Sequence, residues 1–274
     1  MKIIDLSDDY VECILGRQDL SAYENSCPAL FNHYFKYWAK RAFFRASLNR
    51  EEVLYKRDLV TAGLDRIEIR FAQAGFDIAD LTVVLFVGTH TSNGHAFKDH
   101  DEFIVWLPVE TYTTPLLVDV FVAHEIIHAL HYAAEQRFYF EDAVEKQSVC
   151  RQLITEGVAT YLTAVVLGVD EATALWADHL DQPRLADWMQ QCQDRRADLA
   201  RFLVEHYHSS DPEIGIFVVD DPDNIFHFRA GYYIGLEVVK SILDEHNLTP
   251  PRLLSLPRST FGDAVLRKLQ EMAT

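Results

Sequence analysis

The sequence lacks the cysteine pattern of a disulfide-stabilised protein. Its four cysteines, Cys13, Cys27, Cys150 and Cys192, are far apart and form no CxxC pair, so we expect reduced cytosolic thiols. Basic residues are also scarce, because 25 Lys and Arg face 42 Asp and Glu, which leaves a formal charge of −17. Such a surface repels phosphate backbones and anionic lipid heads. It disfavours a nucleic acid or a membrane as partner and favours basic or neutral substrates.

Long apolar runs are missing as well. The first ten residues, MKIIDLSDDY, reach acidic side chains at once, which argues against a signal peptide. The apolar stretch LLVDVFVA is short and contains Asp119, so the sequence predicts no membrane-spanning segment. With 274 residues, of which 49% are apolar, the chain can form one large domain or two small ones. We expect a soluble cytoplasmic protein.

Most of the chain has helical spacing. Aromatic and apolar residues recur at helical intervals through residues 29–74, and the aromatic stripe predicts core packing rather than a ligand site. Residues 115–135 predict a centrally buried helix, because they are apolar nearly all round and follow Thr113 and Thr114, either of which can cap it. Further helices are predicted over residues 143–167 (ending at Gly168), 169–210 and 228–246, with a loop at 211–224.

Two strands are predicted ahead of the apolar helix. Residues 81–88 and 101–110 are short, rich in β-branched and aromatic residues, and bounded by turn formers. Between them, the dipeptide Asn93-Gly94 indicates a turn. Pro108 and the polar flanks of the second segment predict that it lies at a sheet edge.

The segment FVAHEIIHALHY places titratable side chains in the predicted apolar helix. His124 and His128 are four residues apart, about one helical turn, so both imidazoles leave the same face and can reach one metal ion. Glu125 points about 100° away around the helix, where it can act as a general base without being a ligand. This is the HExxH arrangement. The alternative is a buried helix whose histidines bond to the backbone.

A third ligand argues against that alternative, since zinc enzymes commonly use three protein ligands and leave a fourth position to water. His131 lies about 10.5 Å along the helix axis from His124, too far for one ion, so we expect it near the ligands or facing substrate. Glu156 lies on the next predicted helix among apolar neighbours, where an unpaired carboxylate would be unfavourable. The glycine after it suits a close helix approach. The sequence therefore predicts that His124, His128 and Glu156 bind Zn²⁺.

The two segments HEIIH and TEGVATY together resemble the gluzincin metallopeptidases, in which two histidines and a downstream glutamate bind zinc. More closely, the order of features resembles a bacterial family of predicted zinc-dependent proteases. That order is a strand ending in glycine with an Asn-Gly turn, an HExxH helix, an EGxA helix and an AGYYIG helix, over about residues 81–245. The resemblance implies an α+β fold: a mostly helical, zincin-like metallopeptidase domain with a small β-sheet before the HExxH helix.

The resemblance also bears on residues around the ligands. The thermolysin branch has an aspartate four residues after its glutamate ligand, where this chain has Thr160, and the GAMEN motif of the aminopeptidase branch is absent. A tetrahedral oxyanion needs a donor, and the candidates are Tyr232, Tyr233, His227 and Arg229. The resemblance favours Tyr232. The alternative is that one tyrosine packs in the core and the other faces water.

Extended substrates of this clan typically pair with an edge strand above the zinc helix, which EFIVWLP or VVLFVG could supply. The loop from His90 to His100 is expected to rim the cleft. These histidines, or His206 and His208, could form a second metal site, but a polar surface is the more common explanation for such spacing.

Together these features predict a zinc-dependent metallopeptidase, an endopeptidase that hydrolyses a peptide or protein substrate with Glu125 as general base. The alternative is a catalytically silent protein that keeps the fold and binds or regulates. Glu125 favours the enzyme, because a structural metal site needs no general base. We expect a helical region over residues 1–80 packed on a catalytic domain over 81–246, followed by a tail with a short helix over 247–274. The sequence does not indicate an oligomeric state.

Overall fold

The computed structural model describes residues 1–43 and 48–274. The chain divides into two units, Met1–Ala129 and Leu130–Thr274. The predicted fold class is confirmed, because the chain is mostly helical and a small mixed sheet precedes the helix that carries the HExxH residues. The predicted division into residues 1–80, 81–246 and 247–274 stays a prediction.

The first unit holds the sheet and the helices that precede it. Its described elements are, in chain order, β1 (Lys2–Asp5), α1 (Ser7–Ile14), α2 (Leu20–Ser26), α3 (Pro28–Tyr37), α4 (Arg50–Gln73), β2 (Thr82–Phe86), β3 (His95–Asp99), β4 (Glu102–Pro108) and the first part of α5 (Pro115–Ala134). Short 3-10 helices lie at Arg41–Phe43 and Val109–Thr111. The boundary between the units falls within α5, which is one continuous helix.

The predicted helical segment 29–74 forms α3 and α4, while residues 44–47 lie outside the described part of the chain. α4 begins at a capping box: the Asn49 side chain accepts the Glu52 N–H at 3.0 Å, and the Glu52 side chain accepts the Asn49 N–H at 2.9 Å. The aromatic stripe packs as predicted, since Phe31 is buried with its ring centroid 5.8 Å from that of Phe86 in β2.

The sheet has the strand order β1-β2-β4-β3. β1, β2 and β4 run parallel, and β3 pairs antiparallel with β4. β2 and β4 confirm the two predicted strands. The prediction that the second strand is an edge is wrong, because β4 lies between β2 and β3. Pro108 is the last residue of β4, where a missing N–H does not interrupt the ladder.

The outer strands of the described sheet are β1 and β3, neither of which the sequence predicts. β3 lies in the segment expected to be a loop and starts directly after Asn93-Gly94. Its register runs from His95 opposite Trp106 to Asp99 opposite Glu102. The expectation that EFIVWLP or VVLFVG supplies the edge is therefore wrong, since both of these strands are internal to the sheet.

The second unit is helical throughout its regular elements. After the end of α5 these are α6 (Ala143–Lys146), α7 (Val149–Leu167), α8 (Glu171–Trp176), α9 (Gln182–Asp194), α10 (Arg196–Glu205), α11 (Ala230–His246), α12 (Pro250–Leu254) and α13 (Arg258–Met272). Further 3-10 helices lie at Gln136–Phe138, Gly215–Phe217 and Ile225–His227. The predicted helix 143–167 is divided because the Ser148 hydroxyl accepts the Arg151 N–H at 3.4 Å and starts α7 anew. α7 ends at Gly168 as predicted, with φ 66°.

Helix α5 is the apolar centre of the sequence. Among the described residues it alone is long and apolar enough to cross a membrane by length and composition, and 78% of its apolar window is buried inside the structure. The uninterrupted run within it is shorter, which is why the sequence does not predict a span. The burial confirms the prediction of a centrally buried helix over residues 115–135.

Candidate metal centre

The start of α5 is fixed by a cap and by α4. The Thr114 hydroxyl accepts the Leu117 N–H at 3.1 Å, so Thr114 is the cap among the two threonines considered. Asp119, the acidic residue in the first half of α5, forms an ion pair with Arg66 of α4 at 2.6 Å. These contacts hold the first half of α5 in the first unit.

His124 and His128 converge as their spacing predicts. Both side chains are buried, and their Nε2 atoms lie 3.1 Å apart. This separation would let both nitrogens lie about 2.0–2.1 Å from one ion, the usual zinc–nitrogen distance. The two imidazoles are therefore arranged to share one ion.

Glu156 on α7 completes a group of three. One ligand atom from each of His124, His128 and Glu156 lies within 4.8 Å of the other two. Two imidazoles and a carboxylate are the donor set of catalytic zinc sites, so these residues fit the predicted ion. Glu156 is half-buried, as its apolar neighbours indicate. The group can bind a metal.

A close contact between glycines holds α7 against α11. A Cβ added to Gly157 would lie 2.5 Å from the carbonyl carbon and oxygen of Gly235, and one added to Gly235 would lie 2.6 Å from the Leu153 oxygen. The expected close approach after the ligand glutamate is therefore found, within the second unit. Gly231, in the first turn of α11, lies against the ring of Phe217.

Glu125 is buried, with 9% of its surface exposed, and lies against the turn that precedes β3. A Cβ added to Gly94 would lie 2.9 Å from Cγ of Glu125 and 3.1 Å from Cδ2 of Leu107. Tyr112 is also near: burial, then the charges of Glu125 and Glu110, raise the pKa of its phenol well above the ordinary value. The Tyr112 hydroxyl therefore stays protonated and can donate.

The sequence gives no signal for Glu110, a buried carboxylate that fastens the β2–β3 segment (residues 87–94). Its carboxylate accepts the N–H groups of Gly88 at 2.9 Å and His90 at 3.1 Å. Burial raises the pKa of Glu110, while these N–H groups oppose the shift. Nearby, the Tyr34 hydroxyl accepts the Thr89 N–H at 2.9 Å. No spacing rule links Glu110 to this segment, because the two meet only when the strands pair.

The candidate oxyanion donors lie around the start of α11. Tyr233 is buried, with its ring 6.2 Å from Trp188, and burial raises its pKa to about 12. Tyr232 is half-buried, and the guanidinium of Arg229 lies 4.3 Å from its ring centroid. Arg229 precedes α11 with a left-handed φ of 63°. His227 lies against Gly215.

The other histidines form no second group of ligands in the part of the chain that the structure describes. His131 is fully buried with its ring 4.5 Å from Phe138, which contradicts a position facing substrate. His90 and His100 are exposed, and both have left-handed backbone conformations. The ring of His206 lies 4.5 Å from that of Phe202.

Comparison with known proteins agrees with the site. Residues 82–263, more than half of the chain, match the model of a family described as Predicted Zn-dependent protease (DUF2268). The chain has no significant match among curated proteins or solved structures. The resemblance drawn from the HExxH, EGxA and AGYYIG segments is confirmed, because all three fall within the matched range. With a cluster of two histidines and a glutamate that can bind a metal, the chain belongs to this family of predicted Zn-dependent proteases.

Proposed function

We propose that the chain is a gluzincin-like zinc endopeptidase in which His124, His128 and Glu156 hold the ion. The observation that carries the proposal is the grouping of these three ligand atoms within 4.8 Å, with a glutamate next to the first ligand on the same helix. This donor set is the one that leaves a fourth position to water. Bound zinc would polarise the scissile carbonyl and acidify water at neutral pH.

Glu125 supplies the general base. Its carboxylate takes a proton from the attacking water and later passes that proton to the leaving amine nitrogen. The residue follows a ligand on α5 but points to another side of the helix, so it can reach water without binding the ion. A catalytically silent binding protein has no use for this base, which favours an enzyme.

Tyr232 is the oxyanion donor that the surroundings support best. Its hydroxyl donates to the carbonyl oxygen as negative charge develops there. The cationic guanidinium of Arg229 over the Tyr232 ring favours negative charge near the phenol and so strengthens its donation. Tyr233 is a weaker candidate, because its ring packs against Trp188 in the core. The family resemblance also favours the first tyrosine.

The substrate is a peptide or protein, as the family description implies. We propose that an extended segment adds to the sheet at β3, the outer strand that pairs antiparallel with β4. The formal charge of −17 favours basic or neutral segments over acidic ones. We further propose a cytoplasmic location, in line with the reduced state expected of its cysteines.

The test is Glu125→Gln in protein loaded with zinc. Digestion of a peptide library, followed by mass spectrometry, should show internal cleavage by the wild type and a loss of at least about 100-fold in the variant. Zinc content should be unchanged, because the glutamine replaces no ligand. Glu213→Gln, which alters an exposed loop glutamate, is the matched control and should cleave like the wild type.

Four outcomes contradict the proposal. If the wild type contains no zinc after purification without chelators, the proposed metal is wrong. If Glu125→Gln turns over substrate as fast as the wild type, the proposed general base is wrong. Zinc-loaded wild type that cleaves no peptide in the library would favour the silent binding protein instead. If only terminal residues are released from the peptides, the activity is that of an exopeptidase and the proposed endopeptidase is wrong.

A further inference from the structure

The far end of the β2–β3 segment is fastened by a tyrosine. The Tyr112 hydroxyl donates to the backbone oxygen of Asn93. The Ser92 hydroxyl donates to the Gly94 oxygen at 2.8 Å and accepts the Gly94 N–H at 3.3 Å, which closes the turn locally. Tyr112 thus joins this turn to the backbone that follows β4, next to the start of α5.

Tyr112 is itself held in place. Only 1% of its surface is exposed. The ammonium group of Lys56 donates to the backbone oxygen of Tyr112 at 2.8 Å and to the backbone oxygen of Glu110 at 2.9 Å. These two hydrogen bonds tie the 3-10 helix after β4 to α4. A buried phenol with a fixed backbone is a rigid fastening point, because its ring has little rotational freedom.

The turn held by Tyr112 forms a wall beside Glu125. A Cβ at Gly94 would come within 2.9 Å of Cγ of Glu125, so the Gly94 backbone lies beside that side chain with no room for a methyl group between them. Gly94 has a φ of 154°, and its lack of a side chain leaves the room that Glu125 occupies. Movement of the turn would therefore change the space available to the Glu125 carboxylate.

We propose that Tyr112 is a positioning residue for Glu125, because its hydroxyl holds the Asn93 carbonyl and so keeps Gly94 against the glutamate side chain. The inference rests on the proposed function, since the position of Glu125 affects turnover only if it is the base. Small displacements of a catalytic group lower kcat, whereas substrate affinity depends on other contacts. Tyr112 would act through Glu125 and would not touch the substrate.

The test is Tyr112→Phe, which removes the hydroxyl and keeps the ring. We expect kcat to fall at least about 10-fold, with KM changed less than about twofold, since only transition-state positioning is lost. Zinc content should stay at the wild-type level. Amide hydrogen exchange, measured without substrate, should become faster at Gly94 and His95, because the turn loses its fastening.

Tyr207→Phe is the matched control. Tyr207 is also a buried tyrosine whose hydroxyl donates to a backbone oxygen, that of Gly262, at 2.7 Å. Its loss should reduce stability by a similar amount and leave kcat and the exchange at Gly94 unchanged. A second variant, Gly94→Ala, presses a methyl group on Glu125 directly and should lower kcat with zinc retained. If Tyr112→Phe folds poorly, Gly94→Ala still tests whether the position of this turn relative to Glu125 affects kcat.

The proposal is overturned if Tyr112→Phe loses no more kcat than Tyr207→Phe, if the exchange at Gly94 stays slow, or if Gly94→Ala is fully active. Failure of the proposed function looks different. It shows in the wild type as absent zinc or absent cleavage, or in Glu125→Gln as retained cleavage. In that case the exchange measurement alone decides whether Tyr112 holds the turn.

Discussion

Gly157 and Gly235 meet so closely that a Cβ on Gly157 would lie 2.5 Å from the backbone carbonyl of Gly235. Gly157→Ala should therefore force α7 and α11 apart and lower the free energy of unfolding by about 1–3 kcal/mol, as over-packing does. Urea unfolding at fixed zinc concentration measures the change. Gly262→Ala in α13 is the control, since the nearest atom would lie 3.5 Å away and alanine favours a helix. An equal effect of both substitutions would contradict the interpretation.

Glu156→Ala should weaken zinc binding by about 100-fold or more, because the site loses its one anionic ligand. Competition with a fluorescent chelator gives the dissociation constants. The control is Glu205→Ala, which removes an exposed glutamate from the end of α10. If Glu156→Ala keeps wild-type affinity, another group is the third ligand.

Tyr232→Phe should lower kcat by about 100-fold with little change in KM, because the lost donor acts on charge that develops in the transition state. Tyr233→Phe is the natural comparison, since the two residues are adjacent and Tyr233 packs against Trp188. It should keep kcat within about threefold. Steady-state kinetics on one cleaved peptide measures both, and the opposite order would assign the role to Tyr233.

The contribution of Glu110 to stability should depend on pH. Burial raises its pKa, so the folded protein holds this proton more tightly than the unfolded chain does. The resulting stabilisation is full below the ordinary value of 4.5 and is lost as the pH rises through the folded-state pKa. The free energy of unfolding of the wild type, relative to Glu110→Gln, should thus fall from pH 4.5 towards neutral.

Urea unfolding at a series of pH values, with equal zinc throughout, measures that difference for Glu110. Glu213→Gln controls for the removal of one negative charge from the chain. A relative stability of the wild type that increases with pH would contradict the raised pKa. It would mean that the N–H groups of Gly88 and His90 outweigh burial.

The grouping of His124, His128 and Glu156 could be predicted because it depends on local regularity. A helix fixes the relation between His124 and His128 by their spacing alone, and an apolar surround indicates that Glu156 needs a partner. Thr114 and Gly168 mark helix ends through side-chain or backbone chemistry that acts within one turn. The helix spacing and the helix ends each depend on residues that are near one another in sequence, and Glu156 is indicated by its immediate apolar neighbours.

The sheet could be predicted only in part, because strand order depends on distant partners. β3 is short and mixes polar with apolar residues, so His95–Asp99 has no clear strand pattern, and it forms because β4 pairs with it. β1 pairs with β2 across a long stretch of sequence. Pro108 indicates an edge when judged alone, whereas its position at the strand end makes it harmless inside the sheet.

The wall beside Glu125 and two of its fastenings, Glu110 and Tyr112, are encoded in one contiguous piece of sequence, residues 88–112. Exchange of this one block would therefore transfer the wall together with Glu110 and Tyr112, while Tyr34 and Lys56 would stay with the host chain. Between relatives, this exchange would reshape the surroundings of Glu125 and leave His124, His128 and Glu156 unchanged.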